Sequence, residues 1–167
     1  MRPRHTSRDD LRAREFEAYV AGAGGRLLHT ATLLTAEPRA ANPRARRLLT
    51  LALAHTYADW DRLHGEDPYD HTRQYLATRF AGGAWHRRGG LLRLHARPGG
   101  PLARLTPQER LVLVLRLHEG VAEEQTAALL GLPAERVRSV FNRAMAAMLR
   151  PPPKAAPAVG GVEAVSS

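Results

Sequence analysis

Apolar positions recur at helical spacing along most of the chain, and the clearest pattern lies between residues 105 and 149. There Leu111, Val112 and Leu115, with Val114 and Leu117, form one apolar helix face. Thr106 and Pro107 mark the start of that helix, an N-cap followed by a proline in the first turn. Gly120 marks its end, where a left-handed backbone carries no Cβ penalty. Glu123 and Glu124 open a short second helix, at the end where the dipole favours negative charge. Its Ala127, Ala128 and Leu130 are small enough to let another helix cross closely. Gly131 supplies a turn and Pro133 opens a third helix, with Val137, Val140 or Phe141, Ala144 and Met148 as its apolar side. Two helices joined by a short Gly-containing turn, the second one basic, make a helix-turn-helix pattern.

Upstream, the pattern predicts a helix over residues 14–35 with Phe16, Tyr19, Val20, Leu27, Leu28 and Leu34 on its apolar side. Gly22, Gly24 and Gly25 each cost about 1 kcal/mol against alanine, so this helix is expected to weaken or bend in its middle. Residues 1–12 are polar and arginine-rich and read as a frayed arm. A second helix is expected over 44–63, with Leu48, Leu49, Leu51, Leu53, Tyr57 and Trp60 in the core. A third is expected over 69–88, interrupted at Gly82 and Gly83. Residues 89–101, rich in Gly, Pro and Arg, read as a linker, and residues 151–167 as a disordered tail. The expected fold is therefore all-α: two small helical domains, 13–88 and 102–150, joined by a short linker, the C-terminal one a helix-turn-helix.

Composition narrows the function. The formal charge is +9, and all but one of the 25 basic residues are arginine. Such a balance favours nucleic acid as a partner. The excess lies mostly upstream, because residues 101–150 hold seven Arg against five Glu. Zero cysteines exclude disulfides and thiolate chemistry. No membrane span and no signal peptide are expected, which points to the cytoplasm. Among the eight histidines no pair has the i, i+4 spacing of a helical zinc site, so neither metal nor cofactor is expected. No phosphate loop, G-x-S-x-G elbow or nucleotide fingerprint is present, so no enzyme and no small-molecule substrate are expected.

The outer side of the last helix, residues 132–149, carries Glu135, Arg136, Arg138, Ser139, Asn142 and Arg143. These residue types suit a major groove: Arg pairs with guanine, Asn with adenine, and Ser or Arg with phosphate. The competing reading is the solvated face of an ordinary helical bundle.

The stretch TAALLGLPAERVRSVFNRAMAAML resembles the C-terminal promoter-reading domain of the extracytoplasmic-function (ECF) group of bacterial sigma factors, and LTPQERLVLVLRLHEG resembles the helix before it. The resemblance implies a DNA-facing set of Arg136, Arg138, Ser139, Asn142 and Arg143. It also implies core RNA polymerase as a partner. The family often has a basic residue where Val140 stands, which takes part of the phosphate grip away. The first half resembles the family less closely. EFEAYV…RLLHTATLLT is similar to its opening helix, and LALAHTYADWDRL to the end of the helix that docks on polymerase, which implies contacts from Tyr57 and Trp60. DPYDHTRQYLATRFAGGAWHRR stands where the family engages the downstream promoter element, which implies contacts from Arg73, Arg79, Trp85, Arg87 and Arg88, although a place in the core is the favoured reading of Trp85.

Arg44, Arg46 and Arg47 depart from that pattern. They occupy positions where the docking helix usually carries acids, so a negative surface has become positive. A shift of the alignment across AEPRAANP is the other explanation. The implied function is promoter-directed transcription initiation by DNA binding. Two rivals stand beside it: a diverged sigma-like regulator that forms no working holoenzyme, and a protein whose basic helices bind an acidic partner such as an anti-sigma factor.

Overall fold

In a computed structural model the described residues are 3–63, 65–86, 99, 100 and 102–150. Among them the chain is all-α. It comprises α1 (Pro3–Thr35), α2 (Pro43–Asp59), α3 (Pro68–His86), α4 (Pro107–Leu113), α5 (Glu123–Leu130) and α6 (Ala134–Leu149). A 3-10 turn at Trp60–Arg62 extends α2, and a π turn at Val114–His118 extends α4.

The first half is a three-helix unit. Leu27, Ala31, Ala45, Ala52 and Leu76 are buried where α1, α2 and α3 meet. The glycines do not break α1, and Gly22 and Gly25 have nothing near the position of an added Cβ. Burial of Leu27, Ala31 and Leu34 supplies what local propensity lacks. The arm also departs from expectation, since residues 3–12 extend α1 as helix. Arg12 explains part of this: its guanidinium sits 4.4 Å over the Tyr57 ring, donates to the Tyr57 carbonyl and pairs with Asp61 at 3.4 Å.

α2 begins where expected, but its inward face is Ala45, Ala52 and Thr56 rather than Leu51 and Tyr57, which are each 37% exposed. Buried Glu37 accepts the Arg44 and Ala45 backbone N–H groups at 3.1 and 2.8 Å and so caps α2 from the preceding turn. α3 runs through Gly82 and Gly83 without a break, anchored by buried Leu76, Ala77 and Ala81.

In the second half, Thr106 and Glu109 form a reciprocal capping box at the start of α4. Gly120 and Gly131 have left-handed backbones, φ +69° and +63°. Leu117 is 63% exposed, because the π turn rotates it off the apolar face that simple helical spacing gave it.

The two halves share a core. Leu34 of α1 and Ala77 and Ala81 of α3 are buried together with Leu111, Val112, Leu115, Val137 and Val140. A polar lock reinforces that seam. Buried Glu119 of the second half accepts hydrogen bonds from Thr30 and Arg26 of α1, the latter at 3.2 Å. It also accepts the Tyr69 hydroxyl of α3 at 2.9–3.0 Å. Burial, and then Glu119 itself, raises the Tyr69 hydroxyl pKa well above its ordinary value. Gly100 closes the seam from the linker side, its N–H donating to the Ala36 carbonyl at 3.0 Å. A Cβ there would stand 2.8–3.0 Å from the Ala36 and Glu37 backbone, so the approach requires glycine. The remainder of the expected linker and the tail after residue 150 lie outside the described residues.

Candidate nucleic-acid interface

The helix-turn-helix is set by local chemistry. Gly131 ends α5 in the left-handed conformation that lets the chain reverse within three residues. Pro133 then stands at the N-cap of α6 in extended backbone. Val137, Val140 and Ala144 are fully buried and fix the rotation of α6 about its axis. At about 100° per residue, that rotation turns Glu135, Asn142 and Ala146 directly outward. Arg138 and Ser139 stand on either side of them, and Arg143 and Arg136 lie on the Ser139 flank. All five predicted DNA-facing residues are exposed. Arg104 closes the far end of the helix, donating to the carbonyls of Ala147 and Arg150 at 3.3 and 2.8 Å.

Two of the arginines are held by carboxylates of the neighbouring helices. Arg138 reaches Glu123, in the first turn of α5, at 2.6 Å. Arg143 reaches Glu109, the capping-box residue of α4, at 2.7 Å. Burial raises the Glu109 pKa, but hydrogen bonds from Thr106 and Arg143 outweigh it, and the net shift is downward. Arg136 has no carboxylate within ion-pair distance among the described residues. The surface thus presents oriented guanidinium groups at its edges and short polar side chains at its centre, an arrangement suited to phosphates outside and base edges inside.

Residues 102–148 match the family model described as Sigma-70, region 4. The chain is also similar to the RNA polymerase sigma-E factor of Streptomyces coelicolor, 32% identical over 153 residues, covering 79% of this chain and 82% of the relative. The sigma-E factor of Streptomyces avermitilis matches with the same identity and coverage. The chain belongs to the ECF group of sigma factors. Both halves are therefore within the similarity, while the region 4 model covers the helix-turn-helix and the helix before it.

In this sigma factor Val140 is a core residue, wholly buried beside Val137 and Ala144. A basic side chain at that point of α6 would have to enter the core.

The first half distributes its predicted residues differently. Arg44 and Arg47 are exposed and line a cavity of about 810 Å³ between α2, α3 and the start of α4. Arg79 and Arg110 line it too, and no carboxylate does among the described residues. Burial, and next the Arg44 charge, lowers the Arg110 pKa. Arg46 bends back, its Nε donating to the Asn42 side chain at 3.1 Å. Tyr57 and Trp60 pack edge-on against Phe16 at 4.8 and 5.1 Å, which gives both a role in joining α1 to α2. Arg73 is largely covered and pairs with Asp70 at 2.9 Å, whereas Arg79 is exposed. The Trp85 side chain, Arg87 and Arg88 lie outside the described residues.

Sequence spacing missed two groups. The Glu119 lock joins residues remote along the chain, and its only local trace is a carboxylate just before Gly120. His–His spacing on one helix also does not reveal His55 and Asp59 of α2, which stand with His71 of α3 in one donor cluster. No described helix is long and apolar enough to cross a membrane.

Proposed function

We propose that this ECF sigma factor directs RNA polymerase to promoters by laying the outer face of α6 in a major groove, acting in the cytoplasm by binding and without catalysis. Asn142, Glu135 and Ser139 face the base edges, and Arg138, Arg143 and Arg136 take phosphates along the rims. The observation that carries this reading is the orientation of α6. Its core residues turn the polar face outward, and Glu123 and Glu109 hold two arginines ready at its edges. The first half supplies the polymerase contact and the second promoter contact, with exposed Arg79 available for phosphate.

The cavity formed by Arg44, Arg47, Arg79 and Arg110 favours a second reading, in which the first half receives an acidic partner, an anti-sigma factor among them, and no working holoenzyme forms. Run-off transcription with purified core polymerase separates the two. The template carries a promoter recovered by selection from random DNA. Promoter-dependent transcript that disappears in Asn142→Ala, with core binding retained, is the expected result. Core binding without transcript from any selected sequence would overturn the first reading.

A further inference from the structure

His55, Asp59 and His71 converge at the junction of α2 and α3, remote from the recognition helix. His55 Nδ1 and His71 Nε2 each lie 3.5 Å from Asp59 Oδ2, and all three donor atoms fall within 4.8 Å of one another. The His71 Nε2 atom is buried and has no hydrogen-bond partner among the described residues. Buried ring nitrogens normally find a donor or acceptor, so one left 3.5 Å from a carboxylate oxygen, its ring 5.3 Å from a second imidazole, needs an explanation. A cation supplies one. Tetrahedral zinc holds nitrogen and oxygen ligands at about 2.0–2.2 Å, which places neighbouring ligand atoms roughly 3.4 Å apart. The two 3.5 Å separations match that spacing.

The surroundings hold these ligands in place. The His55 ring packs against Tyr75 with centroids 4.3 Å apart, and the other Asp59 oxygen accepts Arg62 at 3.3 Å. Such outer contacts orient metal ligands and leave the coordinating atoms free. Two imidazoles with one carboxylate suit zinc and its transition-metal neighbours better than magnesium or calcium, which prefer sets of oxygen ligands.

We propose that His55, Asp59 and His71 form a three-ligand site for a divalent transition metal of the zinc type, with its remaining coordination position open to water or to a donor from a partner. A metal there ties the end of α2 to the first turn of α3. It thereby fixes the angle between the two helices that carry Arg44, Arg47 and Arg79.

The test is titration calorimetry of the full-length, chelator-stripped protein with zinc, repeated with magnesium, alongside the visible spectrum of the cobalt(II) form. One equivalent of zinc is expected to bind, with no competition from millimolar magnesium and with the intense visible bands of four-coordinate cobalt. Asp59→Asn and His71→Ala should each weaken zinc by more than about 100-fold, beyond the loss caused by removing an outer partner. Zinc should raise the melting temperature of the parent protein and leave that of either variant unmoved. His29→Ala, away from the cluster, should bind as the parent does. Absence of saturable zinc binding overturns the proposal. So does binding that survives both Asp59→Asn and His71→Ala, or magnesium binding as tightly as zinc. Asp59 is partly exposed, so its variant keeps the test valid if His71→Ala fails to fold.

Discussion

Carboxylate–arginine contacts occur both at the seam between the halves and at the edges of the recognition helix, and they do opposite work. At the seam, the Glu119 side chain has no solvent exposure and accepts from Arg26, Thr30 and Tyr69. Removing it takes the carboxylate acceptor from the half-buried Tyr69 hydroxyl, while Thr30 keeps the Arg26 carbonyl at 3.1 Å and Arg26, 55% exposed, turns to solvent. At the recognition helix, the Arg138 and Arg143 side chains are 62% and 54% exposed, and each meets one carboxylate. Solvent screens those pairs, so they set the direction of a side chain more than they stabilise the fold. A buried carboxylate beneath several donors locks the seam, whereas one that meets an exposed arginine orients a charge at the surface.

Breaking the seam should give the largest effect. Glu119→Ala should cost about 1–3 kcal/mol, the usual penalty for leaving the hydrogen-bond partners of a buried group unsatisfied. Denaturant unfolding should show it as a lower midpoint or as two separate transitions, one for each half. A loss below about 1 kcal/mol would mean that the apolar core alone joins the halves. Gly100→Ala attacks the same seam through the backbone and should cost about 1–3 kcal/mol. Its added Cβ meets the main chain of Ala36 and Glu37, which cannot rotate away as a side chain would.

Acid sharpens the comparison on the other side. The folded-state pKa of Glu109 lies below its ordinary value, so its contribution to stability is fully present above the unfolded pKa, about 4.3. That contribution fades as pH falls through the lower folded value. Glu109→Gln should flatten the acid limb of the stability curve, measured by thermal unfolding between pH 6 and pH 3. The smallest effect on folding is expected from Glu123→Gln, which should leave the unfolding midpoint in place. Its effect belongs to binding: with Arg138 released, affinity for DNA should rise a few-fold at low salt, with a steeper salt dependence.

Much of the second half was legible because its signals are local. Thr106 with Pro107, then Gly120, Gly131 and Pro133, each fix the backbone by their own chemistry and need no distant partner. The choice between Val140 and Phe141 as core was not legible, since a shift of one residue turns the helix by less than a third of a revolution. The structure puts Val140 inside and leaves Phe141 half-buried. In the first half, glycine propensity misled twice, at residues 22–25 and 82–83, because tertiary burial of Leu27, Leu34, Leu76 and Ala81 outweighs it. Glu119 and the His55–Asp59–His71 cluster depend on residues that only the fold brings together.

The outward face of α6 is the surface proposed to read DNA. The most direct test measures binding of the full-length protein and of Asn142→Ala to a selected promoter and to single-base-pair substitutions across it. The expected result is a parent protein that discriminates at one base pair by about 1–3 kcal/mol, and a variant that loses discrimination at that pair with an unchanged salt slope. Retained discrimination at every position, in Asn142→Ala and in Glu135→Ala alike, would contradict it and move the reading surface away from α6.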